Sequence, residues 1–304
     1  MMESMELPQN LKKLYRHWGR YVAVHPVAGA INIPVPDEMK WFIDERIRIW
    51  ERKTSGAEPP YTDDLILSTY RFCNIFRELD RQTIEYHTLL NPLRDDFPLW
   101  LMNMFYCRLV ARPDTVRAVG LLSFDEKENA TLYERLMRSS RPRYGTPYVF
   151  PVSVIQRSAT PTRELFITNF LPQAISKVAE EIATWCDVSV YDGVEKILPL
   201  FGFNLHFLWT EVLIDAAYQF PERIDLFKRF PIGPGSLPTF SRIVPGTDPS
   251  LVVAQLADAR VPTDITYEGC PLALSAENWE GIGCEYRKYT NLTSGSGRRR
   301  IYRI

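Results

Sequence analysis

The chain has 304 residues, 45% of them hydrophobic and 24% charged, with a formal net charge of −1. That length can bury a substantial core in one large or two small domains, and the balanced charge excludes a globally cationic nucleic-acid binder, so any polyanion site has to be local. Five scattered cysteines (Cys73, Cys107, Cys186, Cys270 and Cys284) without a C-x-x-C spacing exclude a disulfide framework and read as reduced thiols.

Residues 1–20 mix charges throughout, so no signal peptide is expected there. Residues 39–53 place Ile43, Ile47 and Trp50 on one helical face with charge opposite, and TSGAEPPY (54–61) breaks that helix. Thr62 then reads as an N-cap, with Asp63 and Asp64 in the first turn, of a helix running to about Glu85 and packing through Phe72, Ile75, Phe76 and Leu79. The apolar run from Phe97 to Ala111 is interrupted by Asn103 and Arg108 and is too short to span a bilayer; it predicts a buried helix. Residues 125–138 predict another. The stretch 139–163 is rich in Arg, Pro, Tyr and Thr, and its β-branched run at 149–155 reads as a short strand pair or an ordered loop. Residues 172–186 are amphipathic through Ile175, Val178, Ile182 and Trp185. Helices dominate, and the strand–helix alternation of Rossmann or P-loop folds is absent. Gly233-Pro234-Gly235-Ser236 lacks the lysine and spacing of a phosphate loop. His17, His25, His87 and His206 never pair at ligand spacing, so no metal site is expected, and there is no G-x-S-x-G elbow.

Four clusters could carry chemistry. On a helix, Asn74, Arg77, Glu78 and Arg81 would form a stripe at i, i+3, i+4, i+7, either a phosphate-holding face or a solvated one with Arg–Glu pairs. Gly193–Tyr218 predicts two apolar helices around a turn at Gly202. It reads either as a helix–hairpin–helix whose backbone N–H groups meet a DNA phosphate or as an ordinary αα-hairpin. Glu211 and Asp215 share a face of its second helix, where carboxylates are costly without a task or partner. The rigid turn 230–239 lets backbone approach a ligand closely. Finally, Glu280–Tyr289 leads into a tail with six basic residues and no acid from Arg287 onward. With Arg135, Arg138, Arg141 and Arg143 beside Tyr144 and Tyr148, this tail suits either DNA phosphates or solubility.

Together, TDDLILSTYRFCNIFRELDR (62–81), TEVLIDAAY (210–218), IGPGS (232–236) and ENWEGIGCEYRKY with its Gly-Arg tail (277–300) resemble the alpha-glutamyl/putrescinyl-thymine pyrophosphorylases. These phage amino acid:DNA transferases are related to the helical domain of 5-hydroxymethyl-deoxyuridine DNA kinases, whose P-loop half has no counterpart among these residues. The resemblance implies a mainly α, helix–hairpin–helix DNA-glycosylase-like fold with minor strand content. It would form one domain over 1–304, with an N-terminal helical region over 1–60 and a basic tail over 287–304. The implied enzyme is a transferase that places an amino acid or polyamine on 5-(pyrophosphoryloxymethyl)uracil in DNA and releases pyrophosphate. A helix–hairpin–helix glycosylase and a non-catalytic DNA-binding partner are the alternatives. It implies no cofactor beyond an optional divalent ion, no membrane partner, and a place in the cytoplasm of a phage's host. The chemistry wants a carboxylate base, at Asp215, Glu285 or Glu280, and cations for the pyrophosphate at Arg71, Arg77, Arg81 and Lys288. Substrate contacts are then expected from Asn74, Asp80, Glu211 and Tyr289, and DNA contacts from Gly202, Asn204, Gly233, Gly235, Arg298 and Arg299.

Overall fold

In the computed structural model, which describes residues 5–18, 32–145 and 150–297, most periodic segments form the helices their patterns predict, and the chain is mainly α. Helix Asp37–Thr54 buries Phe42, Ile43 and Ile47, while Trp50 is only half-buried. Helix Phe97–Val110 is buried around almost its whole circumference and stops at Ala111, which takes the left-handed conformation (φ 53°). Helices Glu126–Arg138 and Leu171–Ala183 follow, the first capped by the Asp125 carboxylate. Among the described residues no single helix is long and apolar enough to cross a membrane.

Two expectations are corrected. The single helix from Thr62 to about Glu85 is instead three pieces, Leu65–Thr69, a 3-10 turn at Arg77–Leu79, and Arg81–Leu90, with Asp64 rather than Thr62 as the cap. Tyr70 at the end of the first piece is extended (φ −107°, ψ 147°), and the chain stays non-helical up to Phe76. Asn74, Arg77, Glu78 and Arg81 therefore do not share a helical stripe. The aromatic and β-branched residues of this stretch favour extended backbone, and side chains described below satisfy it there. The β-branched run at 149–155 contributes a short helix, Val152–Arg157, rather than a strand; residues 146–149, including Tyr148, lie outside the described residues.

The contacts divide the chain into two compact units. The first combines N-terminal residues up to Arg16, the segment ending at Asp80, and everything from Leu226 onward. It contains a sheet in which strand Pro262–Tyr267 lies between Met5–Glu6 (parallel) and Cys270–Ala273 (antiparallel). Glu268 and Gly269 both have positive φ, 51° and 79°, as a two-residue type I′ hairpin requires. Helix Ala276–Thr293 follows this hairpin and opens with a capping box between Ser275 and Asn278.

The second unit runs from Arg81 to Asp225. As expected, helices Val190–Phe201 and His206–Gln219 meet around Gly202 (φ 83°), bent by 120°. Phe105, Phe166, Phe170, Phe201 and Trp209 pack ring against ring beneath them. Asp215, fully buried on the second helix, accepts from Arg108 through both carboxylate oxygens and lies 3.0 Å from His87 Nε2. Gln219 faces His87 Nδ1 at 3.0 Å, so the amide N–H donates there and leaves Nε2–H to donate to Asp215. Removing one partner of a buried pair strands the other charge at a cost of about 3–5 kcal/mol. Asp215→Asn is therefore expected to lower the unfolding free energy in urea by several kcal/mol. A wild-type denaturation midpoint would refute that stabilising role.

Candidate functional site

Helix Ala276–Thr293 organises the candidate site in the first unit through two polar stripes. One stripe meets the extended segment 70–76. That segment pairs with no strand, so its peptide groups need other partners. Glu285 Oε2 accepts the Cys73 N–H at 3.0 Å, and Asp80 Oδ1 accepts the Asn74 N–H at 3.1 Å. Lys288 Nζ donates to the Arg71 carbonyl, and Arg46 donates to the Cys73 carbonyl at 2.8 Å. The Lys288 ammonium also lies 4.3 Å from the Phe72 ring centroid and 3.4 Å from Glu285 Oε2. Carboxylate and ammonium, one helical turn apart, thus fix both ends of the Arg71–Cys73 tripeptide. Arg71 is exposed, and Arg77 is half-buried on the following 3-10 turn.

The second stripe meets the glycine-rich loop. Glu280 Oε1 accepts the Ser236 hydroxyl at 2.6 Å and the Gly233 N–H at 3.2 Å. Arg287 donates to the carbonyls of Pro234 (2.9 Å) and Gly235 (3.3 Å), and the Thr239 hydroxyl donates to the Gly283 carbonyl at 2.7 Å. A Cβ at Gly235 would fall 2.5 Å from Cys284 Sγ, and one at Gly283 would fall 2.4 Å from the Phe240 ring. The glycines are there for this close approach of loop and helix. Burial, helped by Glu285 and Glu280, pushes the Cys284 thiol up to about 11, so it stays protonated at neutral pH.

Glu280, Glu285, Lys288, Arg71, Arg77, Asn74, Asp80, Gly233 and Gly235 all belong to this unit. Tyr289 does too, but its hydroxyl donates to Asp64 at 2.9 Å and its ring packs on Phe42 and Trp41, a core position. Asp215 and Glu211 belong to the second unit, where Asp215 is paired as described and Glu211 is half-buried. Arg81 is exposed there and pairs with Glu85 at 2.8 Å, while Gly202 and Asn204 are exposed at the hairpin. Arg298 and Arg299 lie outside the described residues. No group of three or more His, Cys, Asp or Glu among the described residues is placed to hold a metal ion. Ser236, Arg287 and Arg46 join the site without having been expected. The spacing of Glu280, Cys284 and Arg287 (i, i+4, i+7) is the signal that marks one helical face.

The arrangement puts two carboxylates, an ammonium and a guanidinium on one rigid helix, each held by backbone from a different part of the chain. Forcing a methyl into its tightest contact is expected to cost about 1–3 kcal/mol, so Gly235→Ala should lower the thermal midpoint by several degrees. Adding Cys284→Ala removes the clashing sulfur and should restore most of that loss. Equal melting of the single and double variants would mean that the contact is not tight.

Residues 34–189 match the family described as the 5-hmdU DNA kinase helical domain. A "5-hmdU DNA kinase" of Bacillus phage SP10 is 37% identical over 134 residues, covering 40% of this chain and 21% of that protein. This chain thus spans about a fifth of its curated relative. No solved structure matches the chain. The match takes in the whole 62–81 segment whose extended backbone helix Ala276–Thr293 holds, and by its extent this chain belongs to the family of the 5-hmdU DNA kinase helical domain.

Proposed function

We propose that this chain acts in the hypermodification of DNA bases, transferring an amine onto 5-(pyrophosphoryloxymethyl)uracil in DNA with release of pyrophosphate. The kinship with a protein named for 5-hmdU in DNA supports the pathway. The observation that carries the reaction is the pairing of Glu285 with Lys288 against the Arg71–Cys73 backbone.

In the reaction the amine nitrogen attacks the exocyclic methylene carbon. A C–N bond forms as the C–O bond to pyrophosphate breaks, and the leaving group keeps the electron pair. The nucleophile arrives as an ammonium and has to lose a proton, which goes to a carboxylate; Glu285 and Glu280 are the acceptors in this unit. Lys288, Arg71 and Arg77 meet the charge that develops on the departing oxygens, where fixed cations stabilise most strongly. Asp215 is assigned to architecture rather than proton transfer, because Arg108 and His87 occupy its carboxylate in a buried site. The target base leaves the stack so that its methylene reaches the helix, and the exposed Gly202 hairpin and the arginines of the C-terminal tail serve as backbone contacts.

Mass spectrometry of nucleosides after incubating pyrophosphorylated DNA with pooled amines tests the reading. An amine-substituted thymidine and equimolar pyrophosphate are expected; free base with an abasic site would instead identify a glycosylase, and binding without product a non-catalytic partner. Glu285→Gln keeps an acceptor for the Cys73 N–H but cannot take the proton, so transfer should fall ~10²–10⁴-fold with DNA binding retained. Lys288→Met should lower transfer ~10²–10³-fold. Losses of equal size in binding and transfer would make both residues DNA-backbone contacts.

A further inference from the structure

A separate cavity opens on another face of the first unit, between helix Asp37–Thr54, strand Pro262–Tyr267 and the start of helix Ala276–Thr293. Its volume is about 180 Å³. Ile43, Ile47, Leu274 and Trp279, all buried, form an apolar floor. Asp44 and Asp264, both exposed, stand at the rim with Lys40 and Arg48.

The rim acids are short of cations. Lys40 is drawn to Asp37 at 2.9 Å, and the carboxylate that Arg48 approaches is Glu45, at 3.9 Å. Neither Asp44 nor Asp264 hydrogen-bonds or ion-pairs with another described residue. Partial burial raises the Asp44 carboxyl above its ordinary range, Arg48 opposes the rise, and the Asp264 charge adds to it; Glu51, one helical turn beyond Arg48, is raised by burial and the same Asp264. Like charges held beside an apolar floor favour a cation that also brings apolar surface.

Size narrows the choice. An engineered apolar cavity of about 150 Å³ takes benzene, so this one suits an occupant of roughly six heavy atoms. Nucleotides, bases with a pyrophosphate and other ligands of drug size need ~300–1,000 Å³. A bare metal ion would leave the floor unused. We infer that this cavity is a binding site for a short aliphatic primary ammonium, its charge between Asp44 and Asp264 and its methylenes on Ile43, Ile47, Leu274 and the Trp279 ring.

The inference stands apart from the transfer reaction and is tested without DNA. Isothermal titration of the full chain with n-butylammonium, putrescine and butyrate separates the terms, because butyrate offers a comparable chain with the opposite charge. Both cations should bind, and butyrate should not. Asp44→Asn and Asp264→Asn, conservative changes at the rim checked by melting temperature, should each weaken cation binding at least about fivefold, and the double variant should abolish it. Absence of binding by wild type, equal binding of butyrate, or wild-type affinity in the folded double variant would overturn the site. A chain that binds butylammonium yet transfers no amine to DNA would keep this site and lose the transfer reading; failure of the titration leaves transfer to its own assay.

Discussion

An extended segment that joins no sheet has to have its peptide groups met by side chains, and residues 70–76 live under that constraint. Each backbone bond withheld there would cost roughly 1–3 kcal/mol if the group were buried without a partner. Glu285, Asp80, Lys288 and Arg46 supply the partners, and two of the four come from one turn of helix Ala276–Thr293. The constraint runs in both directions. The helix fixes the strand-like segment, and the segment fixes the rotamers of Glu285 and Lys288, which on an exposed helix would sample many orientations. A carboxylate and an ammonium held in this way are pre-organised, which is the property electrostatic catalysis needs.

The same helix shows why part of the fold was legible in sequence and part was not. Helices at 37–54, 97–110, 126–138 and 171–183, and the pair around Gly202, follow apolar periodicity that the local chain carries by itself. The break at Tyr70 does not. Residues 62–85 read as a helix because Phe72, Ile75, Phe76 and Leu79 recur at helical spacing, and the forces that hold them extended come from Glu285 and Lys288, more than 200 positions away. Helix Ala276–Thr293 was obscured the other way. Gly281 and Gly283 weaken helical propensity by about 1 kcal/mol each relative to alanine, and only the close packing of Phe240 against Gly283 explains the second. The hairpin at 262–273 had a local signal in Glu268-Gly269, a two-residue turn between β-rich runs, that went unused.

Of the site, the residue types were legible and their grouping was not. Glu280, Glu285 and Lys288 stand out in sequence as charges in a compact motif, and the structure groups them with Arg71 and the glycine loop. Once the segment is known to be helical, its faces sort themselves. Trp279, Ile282 and Tyr289 go to the core, Glu280, Cys284 and Arg287 to the loop, and Glu285 and Lys288 to the extended segment. Three stripes on one helix leave little of its surface unassigned, which is why small residues were required wherever the neighbouring loop comes closest.

The contrast between Asp215 and Glu285 shows how burial decides the role of a carboxylate. Both stand out in sequence as acids among apolar neighbours. Asp215 has no exposed surface, receives the fork of Arg108 and the N–H of His87, and sits where losing its charge would strand a guanidinium. Protonating it would sacrifice that pairing, and no substrate proton could reach it without opening the packed core around Trp100 and Tyr218. Glu285 keeps 14% of its side chain exposed, spends one oxygen on a backbone N–H, and has its counter-charge at 3.4 Å rather than in a bidentate clasp. A group that must gain and lose a proton during turnover needs this looser arrangement. It has to be held well enough to aim, and left accessible enough to titrate.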